Sequence, residues 1–153
     1  AAMLQSAFSN GVERIIMPGI DSTAIDGMLQ LEQAYPAKCI ATMGLHPCYV
    51  KENYQSELDV VFNWLQKRKF VAIGEIGLDF YWDKTFLVQQ KEAFETQMQW
   101  ALDFNIPIII HTRNAMGETI EAVKPFAQKG LRGVFHCFSG SKESADQIIK
   151  MGF

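Results

Sequence analysis

Phe70-Val71-Ala72-Ile73-Gly74-Glu75-Ile76-Gly77-Leu78-Asp79 is an apolar run of strand length, residues 70–73, that delivers a glycine-rich end carrying two carboxylates. Four more runs of this kind lie at residues 14–17, 38–43, 106–110 and 133–135, several rich in Val and Ile, and their lengths suit buried strands. Between them the period changes to that of a helix. Ile25, Met28 and Leu29 share a face, as do Leu58, Val61, Phe62 and Leu65, then Phe94, Met98, Ala101 and Leu102, then Ile120, Val123 and Ala127, and last Ala145, Ile148 and Ile149. Ser22 or Thr23, Ser56, Asn114 and Ser141 stand where N-caps belong, and Gly130 and Gly152 where helices end. Strand and helix in alternation force parallel strands joined by right-handed crossovers, so the fold class is α/β, either an open sheet or a barrel.

No linker, repeat or low-complexity tract divides the chain, and it reads as one domain over residues 1–153. Residues 1–9 resemble the tail of a helix and residues 151–153 the entry to another strand. With 48% apolar and 20% charged residues among 153, the composition is that of an ordinary globular domain and excludes disorder, collagen and coiled coil. The longest apolar runs fall far short of the roughly 18 residues of a membrane span, so no membrane association and a cytoplasmic location are expected. Cys39, Cys48 and Cys137 are too few and too far apart for a disulfide framework and are expected as free, buried thiols. A net charge of −3 lacks the footprint of a protein that holds nucleic acid by charge alone. Lys67-Arg68-Lys69, at a helix end away from the strand termini, reads as a solvated face.

In parallel α/β folds ligands bind at the carboxyl ends of the strands. Those ends are polar here: Gly44-Leu45-His46-Pro47, Gly74 to Asp79, His111-Thr112-Arg113, and His136-Cys137-Phe138-Ser139-Gly140. By alternation Val71, Ile73 and Glu75 share one face, Pro107, Ile109 and His111 another, and Val134 and His136 a third. If these faces are inward, Glu75, His111 and His136 converge, whereas Cys137 turns out into the helix layer as a packing residue. One histidine at a strand end is ordinarily a structural hydrogen-bonding residue. A glutamate buried there without a partner needs a metal, a cation or a raised pKa, and all three histidines of the chain at strand ends beside Glu75 point to a metal site for Zn²⁺ or a similar divalent ion.

The strand ends Gly74-Glu75-Ile76-Gly77-Leu78-Asp79-Phe80, Ile110-His111-Thr112-Arg113 and His136-Cys137-Phe138-Ser139-Gly140 resemble the TatD-type metal-dependent hydrolases. Gly44-Leu45-His46-Pro47 resembles that family's earlier motif, and Gln89, Phe94 and Gln97 its following helix. The resemblance spans nearly the whole chain. It implies a (β/α)8 TIM barrel, of which about five complete parallel strands lie in this chain with the first and last strands outside it. It also implies one or two divalent metal ions (Zn, Mg or Mn) and hydrolysis of DNA phosphodiester bonds. On matching positions it makes Glu75 the catalytic, metal-bridging carboxylate and His111 and His136 ligands of the second metal. The family's first-strand His-x-His and late Asp, the implied general base, have no counterpart here. Cys48 stands where many members carry a second histidine.

Arg113 is placed to hold a substrate phosphate oxygen, with a salt bridge to Asp79 or Glu118 as the alternative. His46 is placed either to contact substrate or to serve the turn. Phe80-Tyr81-Trp82 is expected chiefly to pack its loop over the barrel mouth, with stacking on unpaired bases as the second reading. The function implied is that of a deoxyribonuclease acting on single-stranded or frayed DNA ends. The alternatives are a small-molecule amidohydrolase or lactonase on the same barrel and a non-catalytic binding module. Many of the former bridge their metals with a carboxylated lysine, and no lysine lies at a strand end here.

Overall fold

The computed structural model describes residues 2–153. Five strands follow one another in chain order: β1 (Ile15–Met17), β2 (Cys39–Ala41), β3 (Ile73–Asp79), β4 (Ile108–Arg113) and β5 (Gly133–Phe135). All paired neighbours are parallel, in the orders β1-β2 and β3-β4-β5. Just past β2 a parallel bridge from Met43 to Ile73, with Gly74 N–H donating to Met43 C=O at 3.0 Å, joins the two groups in sequential order. The helices are α1 (Ala2–Ser9), α2 (Ile25–Ala34), α3 (Tyr54–Lys67), α4 (Leu87–Asp103), α5 (Met116–Gln128) and α6 (Lys142–Lys150). The expected α/β alternation with parallel strands is therefore present.

The boundaries shift where tertiary pairing overrides apolar content. Of the expected third strand, 70–73, only Ile73 lies on β3; residues 70–72 are its approach, and Val71 is exposed. The ladder continues through the polar residues because Gly77 pairs with His111 and Asp79 with Arg113. Residues 74–79 and 111–113, expected just beyond their strands, thus sit on β3 and β4, whereas His46 and His136 lie past β2 and β5. Between Ile73↔Ile108 and Ile76↔Ile110 three steps of β3 oppose two of β4, a bulge that interrupts the alternation of Val71, Ile73 and Glu75. Beyond it the spacing of two is regular again, and Gly77 and Asp79 lie on the face of their partners His111 and Arg113. Ser141 caps α6 as expected, accepting from Ser144 N–H. Asp21, rather than Ser22 or Thr23, caps the 3₁₀ turn that leads into α2.

The core lies between strands and helices, with Met43, Leu45, Ile73, Ile76, Leu78, Ile108 and Ile110 packed against Phe94, Met98 and Val123. Helix α4 sits on β3 with a buried stripe of Gln90, Ala93, Phe94, Gln97, Met98 and Ala101. Two glutamines in an otherwise apolar stripe require internal partners. Gln90 meets Asp79, accepting from its N–H at 2.9 Å and donating to its C=O at 3.1 Å. Gln97 accepts from Leu45 N–H at 2.7 Å and donates to Leu45 C=O at 3.2 Å and Ala93 C=O at 3.1 Å. The helix therefore grips the main chain of two strand ends at positions that precede or carry polar groups of the site.

Candidate metal centre

Gly77 brings the β3 and β4 chains closer than a side chain would allow. A Cβ there would fall 1.9 Å from the His111 carbonyl oxygen, and its φ of +145° lies outside the range L side chains favour. The loop after β1 is pinned to the same region, with Gly19 N–H donating to Gly74 C=O at 2.7 Å and Glu75 N–H to Gly19 C=O at 3.1 Å. The loop after β1, the turn after β2 and the ends of β4 and β5 thus surround Glu75 on β3.

Glu75 is 8% exposed, and three histidines face its carboxylate. Its Oε1 lies 2.8 Å from His136 Nδ1 and 3.6 Å from His111 Nδ1, and its Oε2 lies 3.9 Å from His46 Nε2. The rings of His46 and His111 are 4.4 Å apart. Burial alone would raise the Glu75 pKa, but the contacts with His111 and His136 outweigh it and hold the group ionised, down to about 2. Burial, reinforced by the proximity of His111, pushes His46 down to about 4 and leaves its imidazole neutral at pH 7.

Asp79 is the residue that motif reading left outside the site. It is 1% exposed, and its Oδ2 lies 2.8 Å from His111 Nε2 while its Oδ1 accepts from the N–H groups of Tyr81 and Trp82, both at 3.0 Å. Burial opposes its ionisation, but these backbone N–H groups and His111 prevail and lower its pKa. Burial would lower the His111 pKa, yet Glu75 and Asp79 together raise it. With a proton on Nε2 directed at Asp79, His111 turns Nδ1 toward Glu75, the arrangement in which a carboxylate orients a metal-binding imidazole. The signal for Asp79 was the spacing of four from Glu75 on an alternating strand.

The structure thus brings Glu75, His111 and His136 together and adds His46, which lies beside the His111 ring and faces the other oxygen of the Glu75 carboxylate. His46 also serves its turn, accepting from Cys48 N–H at Nδ1. Arg113 meets neither salt-bridge partner proposed for it. Its guanidinium carbon lies 3.9 Å from the Tyr81 ring centre and 5.2 Å from that of Trp82. The cysteines are free, but Cys39 alone is buried. Cys137 is not the packing residue expected. It is exposed with φ +48°, because β5 ends at Phe135 and the chain turns before the alternation reaches residue 137. Phe80-Tyr81-Trp82 divides: Phe80 packs against the core, while Tyr81 and Trp82 are exposed.

The donor chemistry fits a divalent cation. A buried, ionised carboxylate and the imidazole nitrogens that face it form a nitrogen–oxygen set suited to Zn²⁺ or Mn²⁺. Among the described residues, donor atoms of His46, Cys48 and His111 also lie within 4.8 Å of one another. Burial and the neighbouring Asp79 carboxylate push the Cys48 thiol up to about 11, so it keeps its proton where Glu75 needs to lose none.

A family model described as TatD related DNase matches residues 1–153. The uncharacterized metal-dependent hydrolase YabD of Bacillus subtilis is 34% identical over 151 residues, covering 99% of this chain and 59% of its own. The 3'-5' ssDNA/RNA exonuclease TatD of Edwardsiella piscicida is 33% identical over 145 residues, covering 93% and 55%. Among solved structures, the TatD homolog YJJV of Escherichia coli K12 superposes with a TM-score of 0.90 at 31% identity, covering 99% of this chain and 58% of that one. The chain spans somewhat more than half the length of these relatives.

Proposed function

The chain belongs to the TatD-related DNase family, and we propose that it forms part of a metal-dependent hydrolase that cleaves phosphodiester bonds of single-stranded or frayed DNA from an end. The observation that carries this reading is the ionised Glu75 facing His46, His111 and His136. The name 3'-5' ssDNA/RNA exonuclease borne by the Edwardsiella relative supports the substrate class. In this reading the chain supplies five strands of a (β/α)8 barrel in a cytoplasmic protein, and the complete site holds two ions.

Glu75 would bridge the ions, and His111 and His136 would hold one of them. Divalent ions at such a site lower the pKa of a bound water toward neutrality and offset phosphate charge. That charge compensation would add to the attraction of a chain of net charge −3 for a polyanion. Asp79 fixes the His111 tautomer. Neutral His46 presents an N–H at Nε2 to an oxygen of the phosphate, and Arg113 offers a planar cation at the rim. Full-length Glu75→Gln, assayed on a 5'-labelled single strand with Mg²⁺, Mn²⁺ or Zn²⁺, is expected to lose turnover by orders of magnitude and to retain less metal after dialysis. Near wild-type turnover in that variant would refute the assignment.

A further inference from the structure

We propose that Trp82 is a stacking platform for an unpaired nucleobase, with Tyr81 holding Arg113 beside it for the adjoining phosphate; this rests on the phosphodiesterase reading and specifies how the strand is gripped. Trp82 is 66% exposed and Tyr81 47%, in a loop whose preceding residue, Phe80, is half-buried and packs against the core. Large rings left in water beside a polar site are poorly explained by packing, since Phe80 already anchors the loop.

The loop is tied rigidly to the site. Asp79 accepts both ring-bearing residues' N–H groups at one oxygen and faces His111 with the other. The same buried carboxylate therefore sets the platform and the imidazole beside Glu75 relative to each other. The ring of Tyr81 meets that of Trp82 edge-on, with centroids 4.9 Å apart and planes at 84°. The Arg113 guanidinium lies closer to the Tyr81 ring centre, at 3.9 Å, than to that of Trp82, at 5.2 Å, and Trp82 keeps the larger exposed surface of the two rings. Lacking an acidic partner among the described residues, Arg113 keeps its hydrogen-bonding capacity for a ligand. An exposed indole face and a cation held at its side match a base and its phosphate. They match a single strand rather than a duplex, whose bases already stack on one another. Stacking tolerates any base, so the grip is on unpaired structure and not on sequence.

The test uses the full-length protein, stripped of metal with a chelator so that binding is read without cleavage. A short oligothymidylate and the same backbone carrying abasic spacers are titrated against wild type, Trp82→Ala and Trp82→Phe. Wild type is expected to bind the base-bearing strand roughly tenfold or more tightly than the abasic one, the effect of one stacked base. Trp82→Ala is expected to abolish that ratio without weakening abasic binding, and Trp82→Phe to restore most of it. An unchanged ratio in Trp82→Ala, or no discrimination by wild type, overturns the platform. If the ratio is unchanged while wild type with added metal hydrolyses the strand, the platform falls and the hydrolase stands. If the ratio collapses although wild type hydrolyses no strand with any metal, the platform stands and the hydrolase falls.

Discussion

Asp79→Asn isolates the part of the site that orients rather than binds. The carboxylate makes three short polar contacts, two with backbone N–H groups and one with His111 Nε2. Both N–H groups point at one oxygen, so an asparagine must keep its carbonyl there and turn its NH₂ toward His111. Nε2 then has to accept, which moves the imidazole proton to Nδ1, the atom facing Glu75 at 3.6 Å. Charge-assisted hydrogen bonds contribute about 1 kcal/mol more than neutral ones, so three weakened contacts cost about 3 kcal/mol gross. Relief from burying a charge offsets part of this, leaving a net loss of about 1–2 kcal/mol. The wrong tautomer acts separately: outer partners of metal-binding imidazoles are typically worth about 10–100-fold in affinity. Urea unfolding of the stripped full-length protein reads the first quantity, and calorimetric titration with Zn²⁺ or Mn²⁺ the second. A variant that loses stability but keeps wild-type metal affinity would refute the tautomer argument and reduce Asp79 to a staple for the Tyr81–Trp82 loop.

Gln97→Leu should destabilise the protein by about 2–5 kcal/mol, because it strands the buried N–H and C=O of Leu45; a loss below about 1 kcal/mol in urea unfolding would contradict this. Arg113→Lys keeps charge but loses the plane that lies on Tyr81, so KM for a single strand should rise several-fold with metal affinity unchanged; equal changes in both would place Arg113 among groups that support the ions. For the stripped protein, Glu75 titrates at about 2 against its ordinary 4.5, so its contribution to stability is complete above about pH 4.5 and is lost as pH falls toward 2. His46, at about 4 against 6.5, works in the same direction: protonation is favoured in the unfolded chain, and stability falls as pH drops from 6.5 to 4. His111, raised above 6.5, contributes in full below that value and loses its contribution as pH rises through its folded value. Glu75→Gln should therefore flatten the acid limb of thermal melts below pH 4.5, and an unaltered limb would count against the Glu75 contacts.

The fold and the centre of the site were legible for different reasons. Alternating apolar runs and helical periods carried the strand order, because each strand buried on both faces must be apolar and each covering helix must present one apolar stripe. Histidines confined to strand ends carried the cluster, because a parallel fold collects those ends in one place. Alternation failed at two points where the backbone departs from a regular strand. The bulge before Ile76 is decided by pairing with β4, and the turn at Cys137 by a positive φ that no side-chain pattern announces. Asp79 was missed because apolar content located the strand at 70–73, whereas the hydrogen-bond ladder carries it on to residue 79. Once the strand is extended, Glu75, Gly77 and Asp79 fall on one face, and the second carboxylate meets the histidine that the first one faces. The glutamines of α4 belong to the same reasoning. A polar residue that interrupts an apolar stripe must find an internal partner, and here the partners are the main chains of Leu45 and Asp79. Position in the site is therefore set by contacts to backbone, which the identities of the site residues alone do not encode.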